Sequence, residues 1–274
     1  FGLESADPSV HEANWLNCDP AQLKSAIRLI NKHGSVRGER GLPKLLPGLN
    51  FIAGLNGETE ATYGMNMDLL REIRKEGLLL RRINIRQVEG EGFQEIPSEA
   101  FTGFKTTCRD EIDKPLLKEL FPLGHVIHDV HWESHDGRTR LPVHETELHR
   151  APEIHGKAGI TFGRQIGAYP ILVGAEYKIP LETQSSVVIT GHGARSITGV
   201  EISMDPLKVS EKQLEAIPGI GKKSAWNLVA ARAKAFRKRK EGLPFDDTPS
   251  WFKQANVPWD NGFAPFFDSL THIE

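Results

Sequence analysis

Over the N-terminal third of the chain the apolar positions switch between two periods. In CDPAQLKSAIRLINKHG, residues 18–34, Leu23, Ala26, Ile27 and Ile30 recur at helical spacing. Asp19 is placed to cap that helix, Pro20 suits its first turn and Gly34 suits a left-handed stop. A basic loop, SVRGERGLPKLLPG, leads to LNFIAGL, a short apolar run of the kind found in strands buried on both sides. NGET turns the chain into a second helix, in which Tyr63, Met67, Leu70 and Ile73 share a face and Gly77 ends it. LLLRRINIRQV then returns to period two, with Ile83 and Ile85 alternating with Arg82, Asn84 and Arg86. Strands and helices in alternation predict a parallel sheet with right-handed crossovers. The polar Asn84/Arg86 face has two readings: it lines a barrel lumen that holds a polar ligand, or it is the solvated side of an edge strand.

Beyond this region the pattern changes twice. Residues 98–120 predict an amphipathic helix carrying Phe101, Phe104, Cys108 and Ile112 near one face, interrupted by Pro115. From GHVIHDVHWESHDGRTR onward the segments GITFGRQIGAYPILVGAE, SSVVITGHG and SITGVEI are short, β-branched and separated by Gly or Pro, which predicts a small β-barrel. In KQLEAIPGIGKKSAWNLVAARAKAFRKRK, a short helix with Leu214 and Ile217 apolar meets Pro218-Gly219-Ile220-Gly221. A second helix starts at Lys222 with Ala225, Leu228 and Val229 apolar. This is the helix-hairpin-helix pattern. Its glycines allow a tight turn, and the N–H groups opening the second helix can accept a phosphate. Lys222 and Lys223 add charge there, and the run Arg237-Lys238-Arg239-Lys240 can extend the contact along a nucleic-acid backbone. The bland alternative is a helical hairpin used only for packing. The tail, GLPFDDTPSWFKQANVPWDNGFAPFF, is aromatic and locally acidic at Asp246, Asp247 and Asp260, which favours a packing cap over a platform for bases.

Composition narrows the options. The 274 residues suffice for two or three domains, and 39% hydrophobic with 26% charged residues is ordinary for globular chains. A formal net charge of −2 gives no whole-chain attraction to nucleic acid, so any such role must lie in local patches. No apolar run approaches the ~20 residues that span a bilayer. Two distant cysteines, Cys18 and Cys108, argue against a disulfide framework and for a reducing cytoplasm. They are also too few for an iron–sulfur cluster.

Histidines 125, 128, 131 and 135 invite a metal reading. In a strand, however, His125 and His131 stand ~20 Å apart and His128 faces the other way, whereas zinc needs ligands about 2 Å from one ion. His144, His149 or His155 would have to complete such a site, and nothing in the spacing fixes that geometry, so these are read as surface or loop histidines. Arg164, Lys178 and Arg195 are candidates for a nucleic-acid face, but scattered bases are ordinarily solvated surface.

GLESADP, LNFIAGLNGET and INIRQV together resemble the fourth, fifth and sixth strands of the partial (β/α)6 barrel of radical S-adenosylmethionine enzymes. The likeness is strongest to archaeal iron–sulfur oxidoreductases with a C-terminal helix-hairpin-helix, and more distant to methylthiotransferases. Asn56 stands where that turn usually has proline. The resemblance implies an α/β + β + α architecture in three parts. Residues 1–97 form the C-terminal half of the barrel, residues 98–207 a linker helix and TRAM-like β domain, and residues 208–274 the hairpin with its aromatic tail. It implies S-adenosylmethionine contacts from Glu4, Ser5, Gly54, Leu55, Gly57, Asn84 and Arg86, and nucleic-acid contacts, to RNA in particular, from Gly219, Ile220, Gly221, Lys222 and Lys223. It further implies a 4Fe-4S cluster held by a CxxxCxxC loop on a first strand that would precede Phe1, an electron donor for that cluster, and no membrane. On this expectation the chain is the C-terminal portion of a radical enzyme, inactive without the cluster loop. The competing expectation is a non-catalytic nucleic-acid-binding protein.

Overall fold

The computed structural model describes residues 1–39, 41–88, 90, 92–135, 159–165, 170–238 and 245–269. The chain divides into two compact units, one of Phe1–Pro122 and one drawn from Leu123–Glu274.

In the first unit, strands β1 (Gly2–Glu4), β2 (Gly48–Ala53) and β3 (Arg82–Gln87) form a parallel sheet in that order. Helices α1 (Pro8–Asn14), α2 (Pro20–Gly34), α3 (Glu60–Lys75), α4 (Ser98–Thr107) and α5 (Lys114–Leu120) complete it. Local chemistry explains most boundaries. The Asp19 carboxylate accepts from the Ala21 and Gln22 N–H groups at 2.8 Å, and the Gln22 side chain accepts from the Asp19 N–H at 3.3 Å. This reciprocal cap fixes the start of α2. Its end differs from expectation: Gly34 is not left-handed, and the helix closes at Ser35 in a right-handed conformation. Gly34 is required by a close approach, since a Cβ there would lie 2.1 Å from the Leu45 carbonyl oxygen. Pro115 does not break the helical run either. Residues Cys108–Asp113 widen into a π segment ahead of it, and α5 takes the proline in its first turn.

The core of this unit lies between one sheet face and the helices, with Leu3, Leu49, Phe51, Leu70, Ile73 and Ile83 all at most 1% exposed. Burying each such side chain contributes about 1.5–3 kcal/mol. Strand β2 is not buried on both sides: Leu49, Phe51 and Ala53 are buried, while Gly48, Asn50 and Ile52 are only half-buried. The sheet therefore has one core face and one polar face.

In the second unit, β4 (Val126–Ser134), β5 (Thr161–Gln165), β6 (Leu172–Ala175), β7 (Gln184–His192) and β8 (Ser196–Glu201) close into a barrel in the order β4-β5-β6-β8-β7. All pairs are antiparallel except β6 with β8. Trp132, fully buried, donates its indole N–H to the Ser185 hydroxyl at 2.8 Å. Gly163 opposes it, and a Cβ there would meet the His131 carbonyl oxygen at 2.5 Å and the Trp132 ring at 2.8 Å. Helices α6 (Glu211–Ala216), α7 (Lys222–Lys238) and α8 (Thr248–Gln254) follow, with a 3-10 turn at Asn261–Phe266. Trp251 donates to the Leu228 carbonyl at 2.8 Å, and Phe245, Phe252, Trp259, Phe263 and Phe267 cluster around it edge-on and stacked. The aromatic tail thus packs against α7.

The architecture implied by the radical-enzyme resemblance is corrected on these observations. In place of half a (β/α)6 barrel and a TRAM-like domain, the chain has an open three-stranded parallel sheet and a closed five-stranded mixed barrel. Among the described residues the sheet has these three strands and two edges. Strand β1 is only three residues long and slips register between Gly2 and Glu4, and β3 is left as an edge with Arg82, Arg86 and Gln87 exposed. The solvated-edge reading of the Asn84/Arg86 face is the one observed, and barrel closure belongs to β4–β8.

Candidate functional site

Two places carry the residues singled out in the sequence, one in each unit. At the ends of the parallel strands, the residues expected to hold S-adenosylmethionine divide into two groups. Glu4, Asn84 and Arg86 lie on the polar sheet face, where Asn84 donates to the Asn50 carboxamide oxygen at 2.9 Å. Asn50 was hidden within an otherwise apolar run. Its position between Leu49 and Phe51 is the signal that places it on the polar face. Glu4 adopts a left-handed backbone, φ +66°, unusual for a residue with a Cβ. Its Oε2 is shut off from solvent and has no hydrogen-bond partner among the described residues, although the side chain as a whole is only partly buried. Burial pushes its carboxyl above the usual carboxylate range, opposed by the positive charge of Arg86.

The second group is engaged in holding the fold. Ser5 is fully buried, and its hydroxyl accepts from the Asp7 N–H at 3.1 Å. Asp7 caps α1 through the Ser9 N–H at 2.9 Å and accepts the Thr62 hydroxyl at 2.6 Å. Gly54 and Gly57 have φ of +95° and +85°. Their N–H groups, however, are consumed internally. Gly54 donates to the Glu58 carboxylate at 2.9 Å and Gly57 to the Gln94 carboxamide oxygen at 3.0 Å. Asn56 donates to Asn14 at 3.1 Å. A Cβ on Gly54 would meet the Val88 carbonyl oxygen at 2.4 Å, so this glycine serves close backbone packing. Leu55 is buried. Glu58 also accepts the Tyr63 hydroxyl at 3.0 Å, and burial together with the Glu58 carboxylate drives that phenol far above its ordinary value. Gln94 and Asn14 complete the clamp on this loop through bonds to residues 36 to 42 positions away, a separation that local sequence pattern does not reveal, whereas Glu58 bonds Gly54 four residues away. A cleft of about 570 Å3 opens beyond β3, lined in part by Val88, Phe93, Gln94, Ile96, Phe101 and Lys105. None of Glu4, Ser5, Asn84 or Arg86 lines it.

Among the described residues no group of three or more His, Cys, Asp or Glu side chains could hold a metal ion. Neither Cys18 nor Cys108 is in a disulfide, and Cys108 is buried in the core. Burial and the neighbouring Asp19 charge push the Cys18 thiol up, which disfavours a thiolate ligand. His128 pairs with the Ser186 hydroxyl at 3.0 Å and His135 with Thr161 at 3.2 Å. His144, His149 and His155 lie outside the described residues.

In the second unit the hairpin is built from both sides of its turn. Ser210 and Gln213 form a capping box at the start of α6. Ile217 and Ile220, at 1% and 2% exposure, anchor the turn inward, and the Ile220 N–H donates to the Ile217 carbonyl at 2.9 Å. Gly219 is left-handed at φ +92° and faces Phe263, where a Cβ would lie 3.2 Å from the ring. Pro218, Gly219, Gly221, Lys222 and Lys223 are all exposed. The Ala225 N–H donates to the Gly221 carbonyl at 2.9 Å, so the amides of Lys222, Lys223 and Ser224 open α7 without intrahelical acceptors. No acidic residue occurs from Lys222 to Lys238. Among the described residues, none of Lys222, Lys223, Lys234 or Arg237 enters an ion pair. The Glu215 carboxyl is held below its usual range, chiefly by its hydrogen bond from Lys212 and also by the Lys222 charge. Of the other bases considered, Arg164 is paired with Glu133 at 3.4 Å, whereas Lys178 and Arg195 are exposed. Arg239 and Lys240 lie outside the described residues.

No family model matches the chain. It is 38% identical over 229 residues to an uncharacterized protein of Archaeoglobus fulgidus, covering 80% of this chain and 39% of that protein. It is 35% identical over 210 residues to an uncharacterized protein of Methanocaldococcus jannaschii, covering 73% of this chain and 35% of that protein. The chain therefore spans less than two fifths of the length of these curated relatives.

Proposed function

We propose that this chain binds nucleic acid by its phosphate backbone through the turn Pro218–Gly221 and the exposed face of α7. One observation carries the reading. Gly219, Gly221, Lys222 and Lys223 are exposed together at a helix start whose amides lack intrahelical acceptors, while Ile217 and Ile220 fix the turn from inside. Such a turn presents N–H donors and two cations to one phosphate without a base-specific contact, so it sets position rather than sequence. The closed five-stranded barrel in the same unit belongs to an architecture that OB-folds use for oligonucleotides, which is support by fold analogy only. The cytoplasm suits this reading, because two cysteines outside any disulfide stay reduced there. Among the described residues no helix is long and apolar enough to cross a membrane. The test is affinity of the full chain for tRNA and for duplex DNA across a salt series. The expected result is log K falling linearly with log salt; no binding, or binding indifferent to salt, contradicts the proposal.

A second reading rests on Glu4. A strained residue with an unpartnered carboxylate oxygen, on the same sheet face as Asn84 and Arg86, suits a small ligand carrying both an amino and a carboxylate group. S-adenosylmethionine is such a ligand. Glu4 would hold its amino group and Arg86 its carboxylate, without help from the glycine loop, whose amides are already used. A 4Fe-4S cluster does not fit the residues described, so any cluster and its electron donor would come from outside these 274 residues. Calorimetric titration with S-adenosylmethionine separates the cases. Binding lost in both Glu4→Gln and Arg86→Ala supports the site, and absence of binding to the parent chain removes it.

A further inference from the structure

Helix α7 carries a feature that phosphate capture leaves unused. Trp226 is 60% exposed. The described parts of the chain treat three of its other tryptophans differently. Trp132 and Trp251 are fully buried with their indole N–H groups bonded, and Trp259 packs in the tail cluster against Phe252 and Phe263. At 100° per residue, Trp226 lies one turn from Lys222 and Lys223 and in line with Ala230, Ala233 and Arg237, turned about 100° from buried Ala225 and about 160° from buried Leu228. Lys234 flanks the same stripe, and Phe236, 48% exposed, lies at its edge. The face therefore carries a large flat ring one turn from Lys222 and Lys223, with Lys234 and Arg237 about 12 and 16 Å further along the helix, small alanines between them and no acid along the helix. Trp15, 88% exposed, has no such company; Glu12 and Asp19 are the charges nearest it in sequence.

Leaving an indole in water forgoes a substantial hydrophobic gain, so an exposed Trp one turn from two lysines, on a helix face with further cations, fits a partner that is both flat and anionic. An unpaired nucleotide has that chemistry: its base offers a π face for stacking and its phosphates meet the lysines. A base inside a continuous duplex has both faces covered and cannot reach the ring. Resting on the nucleic-acid reading above, we infer that Trp226 is a stacking platform for an unpaired base, so that the hairpin takes single-stranded or looped nucleic acid in preference to unbroken duplex.

The test uses the full chain with a uridine oligomer of about 20 nucleotides and a duplex of equal length. Trp226→Ala is expected to weaken oligomer binding on the order of 10-fold and duplex binding less than about 2-fold, with the salt slope unchanged. Trp226→Phe should recover most of the loss. Because the residue is exposed, the melting temperature of Trp226→Ala should match that of the parent. Equal losses on both probes, or no loss on the oligomer, overturn the inference while leaving phosphate capture standing. Failure of the parent to bind either probe overturns both. Sedimentation showing a dimer of the parent that Trp226→Ala dissociates would assign the face to a second copy of this chain and also overturn it.

Discussion

Glu4 combines backbone strain with an unpartnered buried oxygen in one residue. Its left-handed backbone and its unpartnered Oε2 are unfavourable for folding, and its carboxyl is raised mainly by burial. The sign of the pH effect follows. A carboxyl whose folded value lies above its ordinary 4.5 binds more protons folded than unfolded, so stability declines as pH rises through that window. Below about pH 4 both states are protonated and the penalty vanishes. Glu4→Gln should therefore melt at a higher temperature than the parent at pH 7 and at the same temperature at pH 4. A variant that is less stable at pH 7 would mean that the carboxylate gains more from Arg86 than burial takes away. Glu4 and Ser5 stood side by side in the sequence as candidates. Alternation from Leu3 does turn Glu4 to the polar face and Ser5 to the core; what the sequence could not show is that the buried Ser5 hydroxyl is taken up by the Asp7 N–H and that Glu4 has a left-handed backbone.

At the level of elements, glycines separate positions governed by packing from positions governed by propensity. Gly163 lies in a barrel strand against the Trp132 ring and the His131 carbonyl, so Gly163→Ala should cost about 1–3 kcal/mol in urea unfolding. Gly64 is exposed within α3, and a Cβ there would meet nothing within 4 Å. Gly64→Ala should therefore add about 0.5–1 kcal/mol. Equal effects at the two sites would contradict the described packing. The same distinction marks what sequence could reveal. The start of α2 was legible because Asp19, Pro20 and Gln22 act within one turn. Gly34 was not, because its partner is Leu45, on a following loop. The hairpin was legible for the same local reason: its turn chemistry lies within five residues. The clamp on the Gly54–Gly57 loop was not, since Gln94 and Asn14 reach it only through the fold.

For the molecule as a whole, the sequence carried the alternation of strands and helices but not how the strands close. Short β-branched segments predicted a barrel; the parallel β6–β8 pair that closes it depends on contacts between distant segments. The N-terminal strands read as half of a larger barrel form an open sheet instead, because β1 is short and β3 is an exposed edge. Function in this account rests on the second unit, where an anchored turn and an acid-free helix present cations outward. The measurement that tests that claim most directly is the salt dependence of tRNA binding by the full chain, compared with its Lys222→Ala/Lys223→Ala double variant. The account predicts linear log–log plots, with the variant weaker and its slope shallower by about 1 to 2. Identical slopes and affinities for parent and variant would contradict it.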